Sequence, residues 1–450
     1  MGERLNIVIV GQKARDDVLA SRLEGCQINV FGQSNNPGLM AKAEASGGTF
    51  YKTQDICNGE AVTAFAEDML ADLVYVGADE PLDQGVINTV RKNLPDVMTV
   101  GPTLESAQLE ADKFFSRQII EDIDPKYNPT YLKVTTRHRL AEALDAFQQA
   151  HLEIVVKPRH LTGGKGVKVM GMHFNTYQEA ENYGLIVLAD TKQSGLLIEE
   201  KIEGNEFTIQ AWTDGRTLIA PPATYDYPYR EDDDKGPGTG GMATFTMKDG
   251  LLPFINQADH DEALEVMRQV LEQLAKRGLG YSGVLYGSFF KTKNGLKVTE
   301  FNARGGDPEL VNIIELMEPD VDMPDVLTKV ATGELSPADV RYQAMASTLI
   351  YLVAPDYAYG ESDQVYEFEM NLEKILRMDV RAYFAAAECI RNNQYRVGSS
   401  RAVALIALDD TPWEARARIL QAKASSVDGP LRHRLDPGNK AYIEAMPRAG

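Results

Sequence analysis

Ile154-Val-Val-Lys157-Pro-Arg-His-Leu-Thr162-Gly163-Gly164-Lys165-Gly166-Val167 is a short apolar strand that delivers one lysine and then enters a glycine-rich loop carrying a second. Successive backbone N–H groups on a flexible loop, flanked by two ammonium groups, suit a triphosphate. The run is not a P-loop: Ser or Thr does not follow Lys165 and the glycine spacing differs. A hairpin turn between two strands would account for the same glycines without a ligand. Its companions along the chain decide between the two.

The first companion is Leu197-Ile-Glu199-Glu200-Lys201-Ile202-Glu203-Gly204-Asn205-Glu206, an apolar strand ending in two carboxylates with a third beyond a glycine turn. A strand edge of this kind can offer backbone groups to adenine while the last glutamate accepts both ribose hydroxyls, although acids at a strand end are often simply solvated. The second is Leu296-Lys-Val-Thr-Glu300-Phe-Asn302-Ala-Arg304-Gly-Gly-Asp307-Pro-Glu309. The two-residue period of a strand puts Glu300 and Asn302 on one face, where they can give magnesium two oxygen ligands, with Arg304 two positions further on. A structural Glu300–Arg304 ion pair is the competing explanation.

Composition excludes other chemistries. The 450 residues carry 46 basic and 66 acidic side chains, a formal charge of −20, which argues against a nucleic-acid partner. Cys26, Cys57 and Cys389 are scattered and odd in number, as expected of a reducing cytoplasm. The opening MGERLNIVIVG reads as a strand and not a signal peptide, and no run approaches the roughly 18 apolar residues of a membrane span, so no membrane partner is expected. None of the six histidines sits at zinc-ligand spacing or beside a serine or cysteine nucleophile. Gly11-Gln-Lys-Ala-Arg15 follows a strand but lacks the remaining glycines of a dinucleotide fingerprint.

The length implies two to four domains. Residues 4 to 101 alternate apolar runs (Leu5 to Val10, Ile28 to Phe31, Leu73 to Val76, Met98 to Val100) with helix-like stretches such as Ala61 to Leu70, the pattern of a parallel sheet with crossover helices. From Gly101 to about residue 325, β-rich segments alternate with glycine-rich loops and one long helix, Asp259 to Arg277. Beyond Gly333, strand-like runs (Ser347 to Val353, Ala382 to Ile390, Ala402 to Leu408) surround a helix at Thr411 to Ala424. The acidic run Glu231 to Asp234 is expected to be a solvated loop. The expected fold class is therefore a multidomain α/β and α+β chain, with an open parallel-sheet N-terminal domain at 1–105, a central domain at 106–325 and a small α+β C-terminal domain at 326–450.

Taken in order, Lys113, Lys157, the glycine loop, Glu199-Glu200 with Glu206, and Glu300 with Asn302 and Arg304 resemble the ATP-grasp superfamily. Within it, the closest resemblance is to the glycinamide ribonucleotide synthetases (phosphoribosylamine–glycine ligases). It is carried by Val76-Gly-Ala-Asp-Glu-Pro-Leu82, Val100-Gly-Pro-Thr103, Leu109-Glu-Ala-Asp-Lys113, Thr162-Gly-Gly-Lys-Gly166, Gly236-Pro-Gly-Thr-Gly-Gly-Met242 and Glu300 to Glu309. The resemblance implies an ATP-grasp core at 106–325 and ATP between two lobes. Lys113, Lys157 and the loop of Gly163, Gly164 and Lys165 would hold its phosphates, Glu206 its ribose, and Glu199, Glu200 and Ile202 would border the base. Glu300 and Asn302 would hold magnesium, with manganese as a substitute, and Arg304 and Lys157 would act on the transferring phosphoryl group. Gly11, Arg15, Asp79, Pro81, Asp226, Arg230, Gly240, Gly241 and Asp307 would line the sites of two small molecules, glycine and phosphoribosylamine, in a monomer or weak homo-oligomer of the cytoplasm.

Two segments depart from the family pattern. Members carry Gly-Gly-Arg-Glu-His in the first strand-to-helix turn, where this chain has Gly11-Gln-Lys-Ala-Arg15-Asp16-Asp17, and Asp-His-Lys-Arg where it has Asp226-Tyr-Pro-Tyr-Arg230. Lys13, Arg15 and Arg230 remain candidates to bind a phosphate, whereas Asp16 and Asp17 are expected to repel one. Other readings therefore stay open: a divergent ligase acting on another amine or amino acid, or a non-catalytic nucleotide-binding module.

Overall fold

Apolar runs with no alternation, separated by helices, make strands buried on both faces, and the N-terminal runs pair accordingly. The computed structural model describes residues 4–162, 166–360 and 362–448. Gly163, Gly164 and Lys165 of the expected phosphate loop lie outside the described residues. Strands Phe50–Lys52, Gln27–Gly32, Asn6–Val10, Leu73–Val76 and Met98–Val100 lie side by side in that spatial order, all parallel. The order reverses between Asn6–Val10 and Leu73–Val76, so a crevice opens outside their C-terminal ends. The turns that follow these two strands begin at Gly11 and Gly77.

Two antiparallel sheets come next. One has the order Tyr131–Val134, Leu196–Glu200, Ile154–Pro158, Lys168–Val169 and is backed by helices Arg137–Gln149 and Tyr177–Ala189 through Leu140, Leu144, Phe147 and Val187. The other joins Asn205–Thr213, Gly283–Thr292 and Gly295–Asn302. Helix Gln257–Lys276 packs behind it with Ala263, Val266, Met267, Val270, Leu271 and Leu274 buried, the three- and four-residue spacing of one helix face.

The sheet that follows crosses the chain. Its order is Tyr225–Asp226, Ala243–Thr246, Ala346–Val353, Arg401–Asp409 and Arg381–Phe384, so strands from the middle of the sequence pair with strands from its last quarter. The expected single run Ala382 to Ile390 is two strands, Arg381–Phe384 and Glu388–Arg391, in different sheets, because the chain leaves one sheet at Ala385 and joins the other at Glu388. The acidic run is not a plain solvated loop either. Asp232 accepts from the Leu435 N–H (2.6 Å) and Asp234 pairs with the buried Arg434 (3.0 Å), which pins the C-terminal segment. No helix among the described residues is long and apolar enough to cross a membrane.

Candidate active site

Strand register places the central side chains. Thr208, Ser288 and Glu300 form one row across the three-stranded sheet, and Gln210, Tyr286 and Asn302 the next. The pairing slips between Ser288 and Phe289, where Ser288 faces Glu300 and Phe289 faces Val298, so Thr299 is an extra residue. Arg117 grips that bulge, donating to the carbonyls of Val298 and Thr299 at 2.9 Å each. Between this sheet and the four-stranded one lies a cleft of about 360 Å³, whose far end is closed by the turns at the parallel-sheet crevice and by Arg401.

The lining from the four-stranded sheet is cationic. Lys157 and Glu199 sit on neighbouring antiparallel strands. Glu199 is buried and accepts from Arg117 through both oxygens (2.6 and 2.9 Å), and it pairs with Lys157 at 2.8 Å. Burial alone would raise its pKa, yet Arg117 and Lys157 hold the carboxyl down to about 2. Glu199 therefore fixes the position of Lys157. Lys113 also lines the cleft, its ammonium pKa lowered by burial and by Lys157 beside it.

Glu206 opens onto the same space and accepts from the Ser288 hydroxyl. Burial pushes its pKa up to about 7. Asp226 and Glu309 are raised as well, first by burial, and for Asp226 also by Glu309 and Glu206. Glu300 and Asn302 project side by side into the cleft. A carboxylate and an amide oxygen fit magnesium, which keeps few protein ligands and takes the rest from phosphates and water. Among the described residues no three His, Cys, Asp or Glu side chains converge as a metal cluster, so a closed structural zinc site has no donors here.

At the crevice end, Arg15 pairs with Asp79 (3.5 Å) and donates to the Gly305 carbonyl (2.9 Å). Arg304 pairs with Glu110 at 2.9 Å, and the expected alternative of a Glu300–Arg304 pair does not form. Burial outweighs Arg304 and lifts the Glu110 pKa to about 7. Arg401 pairs with Asp307 (3.4 Å) and donates to the carbonyls of Gly240, Gly241 and Asp307.

Asp16 and Asp17 do not line the cleft, contrary to the expectation that they would meet an arriving phosphate directly. Asp16 is buried and accepts from the Gln12 and Lys13 N–H groups at 2.8 and 2.9 Å. Asp17 pairs with Lys42 and accepts from the Phe384 N–H. A methyl group on Gly11 would lie 2.3 Å from the Asp16 carboxyl carbon, so Gly11 makes room for that carboxylate and does not itself line the cleft.

The structure thus brings together Arg15, Asp79, Lys113, Lys157, Glu199, Glu206, Asp226, Gly240, Glu300, Asn302, Arg304 and Asp307. Gly11, Pro81, Glu200, Ile202, Arg230 and Gly241 stand outside the lining. The Glu200 carboxylate accepts from the Thr130 N–H, and Arg230 is engaged by the Tyr357 carbonyl (3.2 Å) and Glu231 (3.4 Å). Sequence reasoning missed Arg117 and Arg401. Arg401 heads an apolar strand, Arg401–Asp409, and only knowledge of that strand's neighbours would have carried it to the cleft.

Comparisons with known proteins identify the family. The N-domain model of phosphoribosylglycinamide synthetase matches residues 5–110 and its ATP-grasp (A) domain model matches 111–310. The phosphoribosylamine–glycine ligase of Methanobrevibacter smithii is 34% identical over 98% of this chain and 97% of its own length, and that of Pyrococcus furiosus 32% identical over 98% and 96%. The crystal structure of the Thermotoga maritima phosphoribosylamine–glycine ligase superposes with a TM-score of 0.76 at 21% identity, covering 96% of this chain and 99% of that one. A biotin carboxylase–ATP-analogue complex from Campylobacter jejuni superposes at 0.72 with 14% identity over 98% and 97%, which speaks to the fold alone. With relatives above 30% identity matched end to end, on a fold whose cleft gathers these residues, the chain belongs to the phosphoribosylamine–glycine ligase family of ATP-dependent ligases.

Proposed function

We propose that this chain joins glycine to 5-phosphoribosylamine, giving glycinamide ribonucleotide, ADP and phosphate, a step of purine biosynthesis. The observation that carries the reading is the convergence, in one cleft, of Lys113 and Lys157, the Glu300–Asn302 pair, Arg304 and the parallel-sheet crevice. In this reading Lys113 and Lys157 hold the ATP phosphates together with Gly163, Gly164 and Lys165, and Glu206 takes the ribose hydroxyls. The backbone near Glu200 and Ile202 borders adenine. A carboxylate oxygen of glycine attacks the γ-phosphorus, the bond to the bridging oxygen breaks and ADP leaves. The amine then attacks the acyl carbon, phosphate departs with one glycine oxygen, and the nitrogen loses a proton. Magnesium bound by Glu300 and Asn302, or manganese in its place, would neutralise charge on the transferring phosphoryl group. Arg304, fixed by Glu110, supplies further positive charge there without reorganising.

A second reading keeps the chemistry and changes the acceptor, and the altered Gly11 to Asp17 turn favours it. Incubation with ATP, magnesium, glycine and freshly generated phosphoribosylamine separates the two. Glycinamide ribonucleotide formed in step with ADP supports the first; ADP release stimulated only by another amine supports the second.

A further inference from the structure

We propose that Lys13, Arg15 and Arg401 form a side-chain clamp for the phosphate of the acceptor amine, in place of a cradle of backbone N–H groups. The proposal rests on the reading of the acceptor as a phosphorylated amine. In the turn after Val10, backbone donors are already engaged: the Gly11 N–H by the Phe31 carbonyl (3.2 Å), and the Gln12 and Lys13 N–H groups by Asp16. With these three N–H groups taken, side chains are the donors that remain at Gly11 to Lys13.

Three cations converge there, Arg15 and Arg401 each held by a carboxylate and by backbone carbonyls. Lys13, Arg15 and Arg401 all line the cleft, and burial first, then Arg15 and Arg401, lower the Lys13 ammonium pKa against the opposing pull of Asp79 and Asp307. Asp79 pairs with Arg15 and Asp307 with Arg401. Lys13 forms no ion pair among the described residues. Arg15 is only 2% exposed, yet among the described residues its Nε has no hydrogen-bond partner and its Nη2 has only the 3.5 Å ion pair with Asp79. Buried donors left unpaired are costly, and a guanidinium offers planar, paired donors suited to phosphate. A phosphate dianion would supply negative charge and acceptors. Arg401 enters from the last quarter of the chain, which makes the acceptor site complete only when the Arg401–Asp409 strand is in place.

Ribose 5-phosphate tests the clamp without the labile amine, with unphosphorylated ribose as control. Titration calorimetry on the full chain should detect binding of ribose 5-phosphate and none of ribose. Lys13→Gln, whose side chain holds no structural partner, should weaken that binding roughly ten- to a hundredfold, the loss of one charge-assisted contact. Arg401→Lys should act in the same direction. In turnover, both should raise KM for phosphoribosylamine and leave KM for ATP and glycine unchanged. Unaltered ribose 5-phosphate affinity in both variants, or a rise in KM for glycine in place of the acceptor, would overturn the clamp. Loss of binding in the variants of a protein that makes no glycinamide ribonucleotide would uphold the clamp and overturn only the identity of the acceptor.

Discussion

Glu199 and Glu206 are acidic residues seven positions apart with opposite tasks, and the difference lies in what each carboxylate touches. Glu199 is locked between Arg117 and Lys157, so its removal leaves two buried cations uncompensated. Glu199→Gln should lower unfolding stability by about 3 kcal/mol and sharply reduce turnover by releasing Lys157. Urea denaturation alongside a rate assay checks both, and a full-strength enzyme of unchanged midpoint would remove the bridge from the account. Among the described residues Glu206 has only the Ser288 hydroxyl as side-chain partner, and burial pushes its carboxyl pKa up to about 7. A raised carboxyl is protonated below that pH, and a protonated acid is the poorer acceptor for two ribose hydroxyls. Apparent ATP affinity should therefore be highest above pH 7 and fall as pH drops through 7. Glu206→Gln should bind ATP weakly with that dependence flattened, measured as KM across pH 5.5 to 8.5.

Among the elements, strands and long helices were legible and the turns between them were not. The Leu73 to Val76 and Met98 to Val100 strands lie where the apolar runs place them, and the long helix begins at Gln257, two residues before its expected start. Buried faces impose a period that survives in sequence. The Gly11 to Asp17 turn carries no such period: whether Asp16 points outward or caps Gln12 and Lys13 depends on room left by Gly11 and by Gly77, sixty-six residues away. Split strands hide for a related reason, since Ala385 to Ala387 look like any apolar run until two sheets claim its ends. The turn's design predicts that Asp16→Ala, which strips a buried carboxylate from two N–H groups, costs about 1 to 3 kcal/mol. Asp16→Asn should cost less because its amide oxygen can still accept. Equal, negligible losses in both variants by chemical denaturation would show that the turn holds itself.

At the scale of the whole molecule, the cleft is built by elements remote in sequence: the parallel-sheet region supplies Lys13, Arg15 and Asp79, the middle of the chain Lys113, Lys157 and the Glu300–Asn302 pair, and the late strand Arg401. The middle contribution was readable because glycines and charged residues there follow one another along short motifs. The late contribution was not, since Arg401 reaches the cleft only through pairing between Ala346–Val353 and Arg401–Asp409. This assembly serves one central claim, that a glycine carboxylate is activated as its acyl phosphate before the amine attacks. Glycine labelled with ¹⁸O in both carboxylate oxygens tests it most directly, followed by mass analysis of the phosphate released during turnover with ATP, magnesium and phosphoribosylamine. The account predicts one ¹⁸O in each phosphate and one retained in the amide product; phosphate free of label, with amide still formed, would contradict it.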